Sequence, residues 1–271
     1  MHLDTKEIAL KSRISCLRMI SKAKAAHLGS SLSVIDILSI LFGKIAKIDK
    51  SNPESISNDQ VIVSKGHAAA GTYAVMAHSG FFEIETLNTY CMDGSLLGGH
   101  VTSGKVPGVA LSTGSLGHGL PFGLGLAMAR KRSGFDSYIY VVMSDGECDE
   151  GTTWESALIA KQFEIGNLIV LIDRNRHQSF GDTETTLSLE PFADKWKSFN
   201  WNVYEVDGHN HEDVFSTLNA IKKSKSIAPS VVICNTVKGK GVSFMEDNVI
   251  WHYRPPTDEQ LALALAELGT R

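Results

Sequence analysis

Cysteine is scarce in this chain: four residues among 271, Cys16, Cys91, Cys148 and Cys234, with none at the paired spacing used for zinc or redox exchange. No secretory leader precedes them, so they read as reduced thiols of a cytoplasmic protein. An excess of one charge sign is lacking too. The 26 Lys and Arg and 30 Asp and Glu leave a formal charge of −4, with no basic surplus to suggest nucleic acid and no run of like charges to mark a tail. An anionic ligand must therefore be held by local groups. No apolar run approaches the roughly 18 residues that cross a bilayer, so no membrane association is expected. Several catalytic signatures are also missing: there is no His-Glu-x-x-His, no Gly-x-Ser-x-Gly and no Walker loop. Without internal repeats, low-complexity stretches or a Pro/Gly/Ser-rich linker, residues 1–271 read as a single domain.

What is present is apolar patterning. Hydrophobic residues make up 43% of the chain, enough for a substantial core. Ile8, Leu10, Ile14, Leu17 and Ile20 recur at helical spacing among Lys and Arg, which predicts an amphipathic helix over 4–21; a second is expected over 33–45. Then the period changes. Short β-branched or aromatic runs at 60–63, 138–143, 168–172, 202–206 and 230–234 predict strands. Helical patterns lie between them at 67–78, 116–130, 154–163, 191–199 and 211–223. This alternation predicts an α/β fold, a parallel sheet flanked by helices on both faces. Residues 82–113, rich in Gly, Ser and Thr, are too long for a plain connection, and 238–256 are similar, ahead of a final helix over 257–268. Loops of such length usually carry function.

Two strand ends bring chemistry. The strand at 138–143 runs into Ser144-Asp145-Gly146-Glu147 and the strand at 168–172 into Asp173-Arg174-Asn175, with Asn175 thirty positions after Asp145. Open α/β sheets bind ligands outside the carboxyl ends of their strands. There Asp145, Asn175 and the carbonyl of His177 would form an oxygen half-shell for Mg²⁺, which takes one or two carboxylates together with phosphate oxygens. The alternative is that Asp145-Gly146 is a turn and Asp173 or Asn175 a helix cap. A second cluster, Thr113-Gly114-Ser115-Leu116-Gly117-His118-Gly119, opens a helix. Its glycines either let backbone N–H groups approach an anion or serve close helix packing; their spacing is not that of a dinucleotide fingerprint. His27, His67, His100 and His252 each adjoin a glycine or a loop. One such histidine would pass as a surface or satisfied core residue, but four point to a site.

As a set, these motifs resemble the N-terminal half of transketolase. The resemblance runs from Ser21-Lys22-Ala23-Lys24-Ala25-Ala26-His27-Leu28-Gly29 through Ser64-Lys65-Gly66-His67, Gly114-Ser115-Leu116-Gly117-His118-Gly119 and Asp145-Gly146-Glu147. It continues through Phe180-Gly181-Asp182-Thr183 and Val206-Asp207-Gly208-His209 to Val237-Lys238-Gly239-Lys240-Gly241 and Trp251-His252. It implies the diphosphate-binding domain of the thiamine-diphosphate-binding fold, with thiamine diphosphate and Mg²⁺, or another divalent cation such as Ca²⁺ or Mn²⁺, as cofactors. The metal ligands it implies are Asp145, Asn175 and the His177 carbonyl, with Gly146 and Asn175 in the same diphosphate cradle. It further implies that His67 and His252 hydrogen-bond the diphosphate or the bound intermediate, and that His100 binds the donor's terminal hydroxyl. His27 with His252 would meet the hydroxyl that loses its proton when the carbon chain breaks, and Gly114 and Leu116 would contact the thiamine. Glu150 and Glu155 match carboxylates that communicate between paired active sites; their plainer reading is as acids on a helix surface. The implied reaction moves a two-carbon ketol unit from a ketose or ketose phosphate to an aldose, histidine suiting the proton transfers because its ordinary pKa lies near neutrality.

Three departures from the family pattern matter. Ser144 replaces a glycine before Asp145, a small change expected to leave the metal site intact, and His118 stands where full-length members commonly have glutamine. The pyrimidine-binding and C-terminal domains of transketolase have no counterpart before Arg271. The expectation is a separate C-terminal transketolase subunit supplying the pyrimidine-binding domain, in an α2β2 assembly active only when complete. The alternatives are a related subunit moving a ketol or acyl unit to an unusual acceptor in a specialised pathway, and a noncatalytic scaffold subunit. The combination of Asp145, Asn175 and four histidines argues against the last.

Overall fold

Strands covered on both faces carry near-continuous apolar runs, and four such runs with one partly exposed edge strand build the centre of this protein. The computed structural model describes residues 4–269. Its strands are β1 (Gln60–Val63), β2 (Ile139–Ser144), β3 (Leu168–Arg174), β4 (Asn202–Asp207) and β5 (Ser230–Asn235). They form one parallel sheet in the order β1-β2-β3-β5-β4. The helices are α1 (Thr5–Ala23), α2 (Leu28–Ile40), α3 (Ala69–His78), α4 (Gly119–Arg132), α5 (Gly151–Gln162), α6 (Thr183–Thr186), α7 (Phe192–Ser198), α8 (His211–Ser224) and α9 (Asp258–Glu267).

Side chains alternate across a strand, so each strand feeds two cores. Val61, Val63, Tyr140, Val142, Ile169 and Leu171 join the core beneath α1, α2, α3 and α8. Their neighbours Ile62, Ile139, Val141, Leu168 and Val170 join the other, beneath α4, α5 and α7. The expected α/β architecture with helices on both faces is therefore the observed one. The order in which strands are added reverses between β4 and β5, and α8, which makes that connection, lies on the face opposite α4, as a constant hand of crossover requires.

Helix α2 departs from expectation. It starts at Leu28, not at residue 33, and passes at Leu41–Ile45 into a wider π turn. Every residue of α2 is buried, so it has no polar face from which a boundary could be read. The 18 residues Leu28–Ile45 are long and apolar enough to cross a membrane, which corrects the expectation that no run reaches that length. Because 89% of this window is buried inside the protein, burial in the core already accounts for its composition. The two long loops contain only short 3₁₀ turns, at Ile84–Thr89 and Val249–His252. The first is pinned to the core by Leu87, Tyr90, Leu97, Val101 and Val106.

Candidate active site

In the parallel ladder Ser144 stands beside Asp173, so the chain leaves β2 and β3 together at the same sheet edge. Asp145 is buried there, its two carboxylate oxygens accepting the N–H groups of Gly146 (2.8 Å) and Arg176 (2.6 Å). The Asn175 side-chain oxygen accepts the His177 N–H at 3.0 Å, while its amide nitrogen donates to Ser33 Oγ at 3.2 Å. Between them Arg176 takes φ +62, a left-handed conformation uncommon for a residue with a side chain, which turns the strand end back. Burial first, and then nearby Asp173, raise the Asp145 carboxyl to about 6, and no ion pair reaches it among the described residues. A buried carboxylate without a cationic partner, beside an amide oxygen, has the donor chemistry of a hard-cation site.

Asp145, Gly146, Asn175 and His177 line a cleft of about 340 Å³ together with His27, His67, His100 and His252. His27 is the centre of the imidazole group, with ring centroids 5.5 Å from His67, 5.4 Å from His100 and 4.9 Å from His252. It is held there by a left-handed backbone, φ +71, and by its N–H donating to the His252 carbonyl at 2.8 Å. His67 rides on a 3₁₀ turn directly after β1. Gly66 before it must be glycine, since a Cβ would sit 1.9 Å from the Thr113 carbonyl oxygen. The near-neutral pKa expected of these histidines is not what the structure provides. Burial, then His100 and Lys238, lower His27 to about 4; burial, then Lys238 and His27, lower His252 to about 3. His67 is likewise held well below its ordinary value by burial and then Lys65. In the ligand-free protein these three rings are unprotonated at neutral pH.

Gly114 and Leu116 also line the cleft, but the glycine loop they belong to is built around an internal acid. Gly117 N–H donates to Glu147 Oε1 at 3.1 Å, and Gly119 N–H donates to Ser64 Oγ at 3.0 Å. Of the two uses open to these glycines, close packing accounts for Gly117, whose φ is +70 and whose Cβ would lie 2.4 Å from Thr152 Oγ1. The Ser144 departure links this loop to β2, through a 2.8 Å hydrogen bond between Ser144 Oγ and Ser115 Oγ. Of the two glutamates, Glu150 reaches the cleft from the N-terminus of α5, whereas Glu155 lies exposed on that helix and is not among the lining residues.

Sequence reasoning assigns no role in the site to Lys65, Asp173, Lys238 and Glu147. Lys65 and Asp173 form a fully buried ion pair, and Asp173 also accepts from Ser33 Oγ (2.6 Å) and Thr236 Oγ1. Lys238, also fully buried, donates to the Gln178 carbonyl at 3.3 Å and lies 3.3 Å from His252 Nδ1, both residues of the cleft wall. Burial first, and then Lys65, lower its ammonium to about 8. A buried ammonium beside a cation-seeking carboxylate suits a ligand that is itself an anion carrying a metal, as a diphosphate does. The signal is present in Ser64-Lys65-Gly66-His67 and Val237-Lys238-Gly239, where a lysine precedes a glycine inside a motif, but lysines read as surface residues by default.

The family model described as "Transketolase, thiamine diphosphate binding domain" matches residues 4–271. The chain is 39% identical over 272 residues to an apulose-4-phosphate transketolase subunit of Phocaeicola vulgatus, covering 100% of this chain and 96% of that protein. It is 36% identical over 266 residues to 6-deoxy-6-sulfo-D-fructose transketolase subunit SqwG of Clostridium sp., covering 98% and 96%. Transketolase of Campylobacter jejuni superposes with a TM-score of 0.90 at 28% identity, over 98% of this chain and 43% of that one. The chain thus spans less than half the length of that solved enzyme and nearly all of the two subunits. From its sheet, its cleft and these matches, the chain belongs to the transketolase family, as its thiamine diphosphate-binding domain.

Proposed function

We propose that this chain is the N-terminal subunit of a two-component transketolase, moving a two-carbon ketol unit from a ketose or ketose phosphate to an aldose with thiamine diphosphate and Mg²⁺. The observation that carries the reading is the cleft itself, where Asp145 and Asn175 meet four clustered histidines beside buried Lys238. Asp145, Asn175 and the His177 carbonyl would hold the cation, with Gly146 alongside and Lys238, His67 and His252 facing the diphosphate. Gly114 and Leu116 would pack on the thiamine. Thiamine diphosphate, when bound, supplies a nucleophilic carbon and takes up the electron pair released as the sugar's carbon–carbon bond breaks. His27, central in the cluster and unprotonated, would with His252 take the proton of the sugar hydroxyl, and His100 at the exposed rim would orient the donor's far end. An anionic ligand would raise the imidazoles of His27, His67 and His252 from their depressed values towards a range useful for proton transfer.

A separate polypeptide carrying the pyrimidine-binding domain, in an α2β2 assembly, is supported by the near-complete overlap with proteins named as subunits. Apolar side chains exposed at the cleft rim, Phe180 at 85% and Leu116 at 53%, suit a covering surface. Glu150 at the N-cap of α5 and Glu155 on that helix would then lie towards a subunit contact. The names of the two relatives, one for apulose-4-phosphate and one for a sulfonated fructose, favour as a second reading a less common sugar as substrate. The test is to assay ketol transfer by the chain alone, and with a pyrimidine-domain polypeptide from the same genome, varying thiamine diphosphate and Mg²⁺. Turnover is expected only from the pair and is expected to disappear with Asp145→Ala. Full activity of the isolated chain would overturn the split arrangement, and an unaffected Asp145→Ala enzyme would overturn the metal site.

A further inference from the structure

We infer that Glu147 is a positioning residue, a single buried carboxylate that ties the end of β2 to the two loops beside it at the floor of the cleft. The inference deepens the reading above and rests on it for what the cleft binds, but the tie is visible without any ligand. Glu147 Oε1 accepts the Ser64 hydroxyl and the Gly117 N–H (3.1 Å), and Oε2 accepts the Ser144 N–H (3.3 Å). The donors lie on three segments, the turn after β1, the glycine loop and the end of β2 from which Glu147 itself follows, and each presents a cleft residue close by in sequence: His67 after Ser64, Leu116 before Gly117, Asp145 after Ser144. Ser64 extends the tie, because its Oγ also accepts the Gly119 N–H at 3.0 Å, at the first turn of α4.

The chemistry requires a carboxylate. Three N–H or O–H donors converge on one buried side chain, and an amide in its place would turn its own NH₂ towards at least one of them. Glu147 is 2% exposed, so water cannot take over a donor left without an acceptor. Its side chain pairs with no cation among the described residues, which separates it from Asp173, tied to Lys65. Surface acids have no such requirement, and a space-filling core residue would not gather donors from three segments. Because the carboxylate takes up the Gly117 amide, that N–H is spent internally, and Glu147 acts with the Ser115–Ser144 and Gly119–Ser64 hydrogen bonds in setting the loop's distance from β2 and from the turn after β1.

Amide hydrogen exchange on the ligand-free full chain tests this, in Glu147→Gln and in Ser64→Ala, which removes one donor and keeps the carboxylate. Glu147→Gln should lose protection locally at Gly117 and Ser144, with distant core amides in β3 keeping theirs. Thiamine diphosphate with Mg²⁺ should then bind roughly tenfold or more weakly, as when a residue behind a ligand is lost. Ser64→Ala should loosen Gly119 and leave Ser144 protected; should Glu147→Gln fail to fold, this variant decides. Protection lost evenly over the whole chain, or unchanged at Gly117 and Ser144, would overturn the tie. Failure of the wild-type chain to bind thiamine diphosphate, alone or with its partner, would count against the proposed function and leave the exchange result standing.

Discussion

Replacing Asp36 by Asn should destabilise this protein more than any comparable isosteric change on its surface. Asp36 is a buried acid of α2 on which three elements converge: Arg13 of α1, with Nη1 at 3.0 Å and Nη2 on the other oxygen; His209, with Nδ1 at 2.7 Å; and His211 of α8, with Nε2 at 3.0 Å. Since His209 Nε2 accepts the Val237 N–H at 2.9 Å, its proton lies on Nδ1 and is donated to Asp36. The side chains of Arg13 and Asp36 are only 10% and 6% exposed. Removing one partner of a buried ion pair leaves the other charge uncompensated, at about 3–5 kcal/mol. At roughly 2–4 °C per kcal/mol for a domain of this size, the fall in Tm is on the order of 10 °C. The pH dependence checks the cause. Burial alone would raise the Asp36 carboxyl, but the hydrogen bonds from His209 and His211, with Arg13, outweigh it and hold it well below the carboxylate range. A carboxyl depressed on folding stabilises above its unfolded pKa, near 4, and this contribution falls by about 1.4 kcal/mol per pH unit below that. Urea melts of the wild type and Asp36→Asn should therefore differ most at pH 7, and the gap should narrow by about 1 kcal/mol at pH 3. A gap under about 1 kcal/mol at pH 7, or one that does not narrow in acid, would refute the reasoning.

Two further outcomes follow from burial. With its ammonium lowered to about 8, Lys238 is largely neutral at pH 8.5 in the free chain, and a bound anion should raise it; cofactor binding should then take up protons. Calorimetry in buffers of different ionisation enthalpy measures this uptake, and its persistence in Lys238→Met would remove Lys238 from the site. Of the four free thiols, Cys16, Cys148 and Cys234 are buried, with burial pushing Cys16 up to about 12, while Cys91 is exposed. A thiol reagent should therefore modify one cysteine per native chain, and a second fast-reacting thiol would contradict the packing of α1 or of the sheet.

The sheet is legible in the sequence because its inner strands are apolar runs with turn residues at both ends and its edge strand β4 alternates apolar and polar residues, and the observed strands differ from the predicted runs by at most two residues at either end. The excess lies at the carboxyl ends, where Ser144, Asp173 and Arg174 continue the ladder although they are polar. Ser144 lines the cleft and Asp173 lies behind it, so local pattern and function conflict there. The start of helix α2 is hidden for the opposite reason: buried on all sides, the helix offers no periodicity. The four histidines and the Asp145–Asn175 pair can be named from their loop contexts, because few residue types do that chemistry. Lys238 and Glu147 cannot, since what distinguishes them is burial, and a lysine or glutamate carries no sign in the sequence that it is inside.

Burial also explains how the charges divide. Lys65 and Asp173 lie fully inside the protein, and a pair so placed adds little to stability against an apolar alternative. Its visible consequence is orientation: Asp173 accepts from Ser33 Oγ, Ser33 Oγ accepts from the Asn175 amide nitrogen, and the Asn175 oxygen is thereby turned the other way, towards the His177 backbone and the cleft. Among the described residues Asp145 and Lys238 have no ion-pair partners, one raised and the other lowered from its ordinary pKa, which means that each charge costs the folded chain some stability. An anion entering alone would relieve Lys238 and oppose Asp145, and a cation entering alone would do the reverse. A diphosphate bearing its metal relieves both at once, so the unpaired groups favour that combination over either component, before any contact with the thiamine is counted.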